Sequence, residues 1–254
     1  MTASGRIFLA NVGANASHSF DSPIFDDGTF EFITIPEDQD LPGDHAVRYG
    51  SLTSFYDPGK SIQDYIPQRL WNFPTHFDPE FETFTYGDNC ETSPRAASLK
   101  RMAPGDFIFF LARLTREKKT KEPSVHGFYL VGFLEIEGIL KDVTQRPTDV
   151  EMERYGTNAH VLRGLSDKTL WDRFWVFAGT PNSRRFRRAV PVTRELALQV
   201  FSSAGGSPWK WDTGRSDLQV IGSYTRSCRC VIDPATPGQA EKATIMWDWV
   251  ARHS

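Results

Sequence analysis

At 254 residues, with 39% hydrophobic and 24% charged positions and a net charge of −3, the chain has ordinary soluble composition. It is long enough to bury roughly three quarters of its unfolded surface without a staple. No apolar run approaches the ~20 residues that cross a bilayer, and the apolar stretch after Arg6 is too short for a secretory leader, so a cytoplasmic protein without membrane contact is expected.

Taken in chain order, runs rich in β-branched and aromatic residues, bounded by Gly, Pro and Asp, predict strands over 6–12, 30–35, 107–114, 128–139, 174–178 and 218–223. Helical spacing is found over 61–71, 194–202 and 239–251, the last expected to close the fold. The lysine-rich stretch TREKKTKEPS between two of these strands reads as a polar loop. No internal repeat or long linker interrupts the pattern. The expectation is a single α+β domain over 1–254, with a mixed, mainly antiparallel sheet and a C-terminal helix.

The densest chemistry lies in HFDPEFETFTYGD, His76 to Asp88, which sets four carboxylates among four aromatic rings. Aromatics suit a buried strand, whereas Asp78, Glu80, Glu82 and Asp88 are of the types least often buried without a partner. Such a conflict marks a site. A second acidic group, DDGTFE, surrounds Gly28, which allows a tight turn that exposes Asp27. After the first predicted strand, ANVGANASHSF supplies Asn11 and Asn15, small polar groups suited to contact a base or sugar.

Charge is unevenly distributed. Between Asp21 and Asp44 there are eight acidic residues and no Lys or Arg, whereas Arg163 to Arg229 carries twelve Lys or Arg against five acids. The sharpest piece is NSRRFRR, where Arg184, Arg185, Arg187 and Arg188 crowd a loop-like segment between two prolines. Guanidinium groups bind phosphate oxygens bidentately, so this run is the candidate contact to a nucleic-acid backbone. Cys228 and Cys230 form only a C-x-C pair, with Cys90 distant and no neighbouring histidine. That spacing excludes a disulfide framework and predicts neither a metal site nor a cofactor.

IFDDGTFEFITIPE, HFDPEFETFTYGD, PGDFIFFLARL and GFYLVGFLEIEGI, in this order and spacing, resemble the nucleotide modification associated domain 3 family, from Arg6 to about Arg229. The resemblance implies a setting in nucleic-acid base modification rather than a reaction, and it includes DGTFE and the N-x-H of GTNAHVLRG, which favours Asp27 and His160. PGD with its aromatic strand, followed by GFYLVGFLEIEGI, also resembles the paired strands of PUA-like modified-base readers, pointing to a PUA-like half.

These residues suggest N-glycosidic hydrolysis of a modified DNA base. Asp27, Asp78 and Glu80 are the candidate carboxylates and His160 the candidate acid or hydrogen-bond donor. Phe84 and Tyr86 are candidates to stack on an extruded base. The competing readings are a non-catalytic reader of modified DNA and a nuclease holding Mg²⁺ on Asp78 and Glu80.

Overall fold

The computed structural model describes residues 5–14, 17–39, 41, 46–117, 124–203 and 206–254. An α+β fold is built on one mixed sheet of eight strands. In chain order the strands are β1 (Ile7–Val12), β2 (Ser22–Ile24), β3 (Thr85–Asp88), β4 (Phe107–Arg116), β5 (His126–Val143), β6 (Phe174–Gly179), β7 (Arg184–Pro191) and β8 (Arg229–Ile232). The path runs β3-β6-β5-β4-β1-β8, with β2 beside β4 and β7 beside β5. Only β1 and β2 pair with β4 in parallel, and the other pairings are antiparallel.

Alternation along the central strands creates two cores. Ile7 and Leu9 of β1, with Phe107, Phe109 and Leu111 of β4, face one side; Phe8, Ala10, Ile108, Phe110 and Ala112 face the other. The period of two is what allows a strand buried on both faces to serve two layers. On the first face lie α3 (Arg194–Val200), α4 (Asp217–Tyr224) and α5 (Gln239–His253). They contribute Leu196, Ile221, Met246 and Val250 to that core. Each fully buried side chain of this size stabilises by about 1.5–3 kcal/mol. The second face is covered by segments of little regular structure, which contribute Phe30, Cys90, Leu99 and Met102.

Several expectations need correction. Residues 218–223 are helical. Ser216 accepts from Gln219 N while the Gln219 side chain reaches back, a capping box that outweighs the β-branched pair Val220–Ile221. The 61–71 segment forms only two short 3-10 turns, Gln63–Tyr65 and Gln68–Leu70, because Pro67 interrupts it. Residues 30–35 make one isolated bridge at Phe30 instead of a strand. The arginine run is strand β7 rather than a loop, with its backbone paired to β5. Two helices were not anticipated, α1 (Asp149–Tyr155) and α2 (Ala159–Ser166), each with a side-chain N-cap. Much of the lysine-rich loop, like Asn15, lies outside the described residues.

Candidate active site

Three peptide segments meet beyond the end of β1. Glu37 N donates to the Pro74 carbonyl and His76 N to the Ile35 carbonyl, which sets Glu37 beside His76. Asp78 is tied to β3, its Oδ2 accepting from Gly87 N at 2.8 Å. Asn158 caps α2 by accepting from His160 N at 3.1 Å, and its amide lies 3.4 Å from Asp78 Oδ1. A cap thus carries His160 to the carboxylate. Gly87 makes the approach possible, since a Cβ there would lie 2.5 Å from His160 Cδ2.

The result is a cluster of His76, Asp78 and His160. His160 Nε2 lies 3.7 Å and His76 Nε2 4.0 Å from Asp78 Oδ2, and one donor atom from each lies within 4.8 Å of the others. The imidazoles meet edge to face, 5.0 Å between centroids. His76 Nδ1 pairs with Glu37 Oε2 at 2.8 Å. Arg163 Nε stands 3.4 Å from Glu37 Oε1 as an ion pair without hydrogen-bond geometry.

These side chains line a cavity of about 900 Å³, a volume suited to a nucleotide-sized ligand. Its wall also includes Asn11, Asp88, Arg95, Arg113, Thr225 and the exposed Arg226. It opens beyond the carboxyl end of β1, with Asn11, Val12 and Gly13 on its wall. Asn11 Nδ2 reaches towards Thr225 Oγ1, and its carbonyl accepts from Arg95.

Burial sets the protonation of the cluster. Asp78 is pushed well above its usual range by desolvation, against a lowering by the Gly87 N–H, with nearby Asp88 adding to the rise. Desolvation drives His160 well below its ordinary value, helped by His76 and Arg163, so its imidazole is neutral near pH 7. Glu37 is raised by burial, but its hydrogen bond to His76 and the charge of Arg163 outweigh that and leave it below its ordinary value. Two adjacent titratable groups displaced towards each other make a candidate proton-transfer pair.

The structure distributes the sequence candidates unequally. Asn11, Asp78, Tyr86 and His160 line the main cavity. Asp27 does not: it is exposed on a turn where Gly28 has φ +84°, and its carboxylate accepts from Thr29 N and Oγ1. Glu80 accepts from Glu82 N and from the backbone and hydroxyl of Thr83, closing a turn instead of joining Asp78. It faces a second cavity, of about 730 Å³, together with Phe84, Arg184 and Arg185. The pairing of Asp78 with Glu80 in one Mg²⁺ site is therefore not formed.

Tyr86 packs edge-on against Phe110 and stacks with Phe177, so its ring serves the core and its hydroxyl points to Asp88 Oδ2 at 2.8 Å. An open stacking face is absent there. Phe84 is half-buried with φ +56°, turning the chain into β3. Arg185 is also a correction: it lies over the Phe55 and Phe30 rings, donates to the Phe30 carbonyl and is pushed down to about 10 by burial. It cannot grip a phosphate without leaving this nest. Arg184 and Arg187 remain exposed.

The sequence reading missed His76 as a partner of His160, and Glu37, Arg95 and Arg163 entirely. His76-x-Asp78 places two donor types close in sequence, and a tight turn in which Asp78 N donates to the His76 carbonyl holds them together.

No helix among the described residues is long and apolar enough to cross a membrane. No curated protein and no solved structure matches the chain. A family model described as nucleotide modification associated domain 3 matches residues 6–214, thereby including the cluster of His76, Asp78 and His160 but ending before α4. The chain belongs to the nucleotide modification associated domain 3 family, and with it to the proteins of nucleotide-modification pathways.

Proposed function

We propose that this chain is a hydrolase that cleaves the N-glycosidic bond of a modified base in DNA, with the base extruded into the cavity at Asp78. The observation that carries the reading is the Asp78 carboxyl itself, buried on the cavity wall between two imidazoles and raised by desolvation. Such a carboxyl is poised closer to neutrality than an exposed one, where it can take and return a proton efficiently.

In the reaction, a water oxygen bonds to C1′ as the C1′–N bond breaks and its electron pair leaves with the base. Asp78 accepts the proton released by the water, and the Asp78–His160 pair returns it to the departing base nitrogen. The neutral imidazole of His160 keeps the pair from being locked as a permanent ion pair. Asn11 and Asp88 supply donor and acceptor groups to the polar edge of the base. Arg226 at the cavity and the exposed Arg184 and Arg187 supply charge for phosphates.

The test is incubation of the purified chain with DNA carrying varied cytosine or thymine modifications, followed by mass spectrometry of free bases. Base release by the wild type, reduced about a hundredfold or more in Asp78→Asn, supports the reading. Tight binding of modified DNA with no release would make the chain a reader. Backbone cleavage with all bases retained would make it a nuclease.

A further inference from the structure

We propose that His76, Asp78 and His160 bind a divalent transition-metal ion of the zinc or iron(II) type. Two imidazole nitrogens and one carboxylate form a donor set suited to such ions, whereas Mg²⁺ and Ca²⁺ favour oxygen alone. Geometry supports it. At bond lengths of about 2.1 Å, tetrahedral coordination places donors about 3.4 Å apart. The observed separations, 3.7 and 4.0 Å to Asp78 Oδ2 and none above 4.8 Å, need side-chain movements of up to about 1 Å to close around an ion.

The surroundings fit a metal centre as well as the donors do. His76 presents Nε2 to the cluster because Nδ1 is held by Glu37 at 2.8 Å, the carboxylate–histidine arrangement that fixes the orientation of a ligating ring. Asp78 is anchored by Gly87 N, and His160 is seated on the bare Cα of Gly87 by the Asn158 cap. Three protein donors on the wall of a 900 Å³ cavity leave coordination positions open to water or a ligand. Binding of the ion does not depend on the reaction proposed above. Its use there does rest on that reading and would replace the proton relay of Asp78 and His160: both would serve as ligands, the ion would hold and acidify the attacking water, and the proton released by that water would pass to the departing base nitrogen.

The experiment uses the full chain, stripped with chelator, desalted and titrated with Zn²⁺ by calorimetry, with Co²⁺ absorption in the visible range as an independent readout. One ion per chain is expected, with Co²⁺ bands of a low-coordinate nitrogen–oxygen site. His76→Gln, at a partly accessible position, should weaken binding a hundredfold or more while retaining its melting transition. Glu37→Ala, at a side chain outside the ligand set, should weaken it about 10- to 100-fold by freeing the His76 ring. Absence of stoichiometric binding, or unchanged affinity in His76→Gln, overturns the proposal. Stoichiometric binding with base release indifferent to chelator would support the ion site, deny the ion a part in the reaction and leave the hydrolase reading intact. Stoichiometric, His76-dependent binding without base release would do the reverse.

Discussion

Gly87→Ala probes the site without altering any group that carries its chemistry. The new Cβ would lie 2.5 Å from His160 Cδ2, 3.1 Å from Cγ and 2.7 Å from Asn158 Oδ1. Van der Waals contact begins nearer 3.5 Å, so the ring must recede by about 1 Å. The same methyl pushes on the Asn158 cap of α2, whose loss costs about 1 kcal/mol, and overpacking adds about 1–3 kcal/mol. Together these predict a melting temperature lower by about 4 to 16 °C for a domain of this size. Misplacing a catalytic group by about 1 Å costs on the order of a hundredfold in rate. Differential scanning calorimetry and single-turnover base release, measured on the folded fraction at 20 °C, read the two effects separately. A variant with wild-type melting and wild-type rate would show that His160 does not rest on Gly87, and the geometry of the cluster would be wrong.

Three further outcomes follow from the same contacts. His160, held below its ordinary 6.5, contributes stability that is present above that pH and lost as pH falls towards its folded value. Asp78, held above its ordinary 3.8, contributes stability that is present at low pH and lost as pH rises through its folded value. In metal-free protein between pH 3.8 and 6.5, Asp78→Asn should make urea stability rise more steeply with pH and His160→Gln should flatten or invert the rise; curves parallel to wild type would refute both burial effects. Arg185→Ala should lower stability by about 2–3 kcal/mol through loss of its aromatic nest and hydrogen bond, whereas Arg184→Ala, which loses an exposed contact with the Phe133 and Phe186 rings, should cost about 0.5–1 kcal/mol, Arg187→Ala should leave melting unchanged, and each of the two should reduce the salt slope of DNA binding by about one unit. Equal melting of all three variants would contradict the buried placement of Arg185. Tyr86→Ala should cost about 3–5 kcal/mol, while Tyr86→Phe should keep the ring packing and lose only the bond to Asp88; similar melting of the two would refute a core ring.

The sheet was legible where local and global preferences agree. The 107–114 and 128–139 runs are strands as their composition and bounding turns predict, and their antiparallel pairing carries both cores. Helix α5 was equally plain from its periodic pattern. Failures occurred where a few polar atoms decide. A capping box turned the β-branched 218–223 into α4, and the cap at Asn158 made an unanticipated helix of the segment bearing His160. At the candidate site, the acidic aromatic segment stands out in composition, and Asp78 and His160 are both sequence candidates that the structure brings together on one cavity wall. Their meeting was not legible, because it depends on the absence of a side chain at Gly87 and on a bridge at Pro36 and Thr75 that brings Glu37 to His76. Charge runs misled for a related reason. Arg185 resembles its neighbours in sequence, yet the sheet turns it inward onto Phe55 while Arg187 stays in solvent and Arg184 lies exposed over the Phe133 ring.

The central claim is hydrolysis at C1′ by the Asp78 cluster, and the most direct measurement is a single-turnover reaction on modified DNA in ¹⁸O-labelled water. With the sugar reduced by borohydride at an early quench, before its aldehyde exchanges oxygen with solvent, mass spectrometry of both products should show free modified base and a reduced abasic sugar carrying one ¹⁸O at C1′, with both products lost together in Asp78→Asn. Free base with unlabelled sugar, label in a phosphate, or no base released by a chain that binds the DNA would each contradict the account.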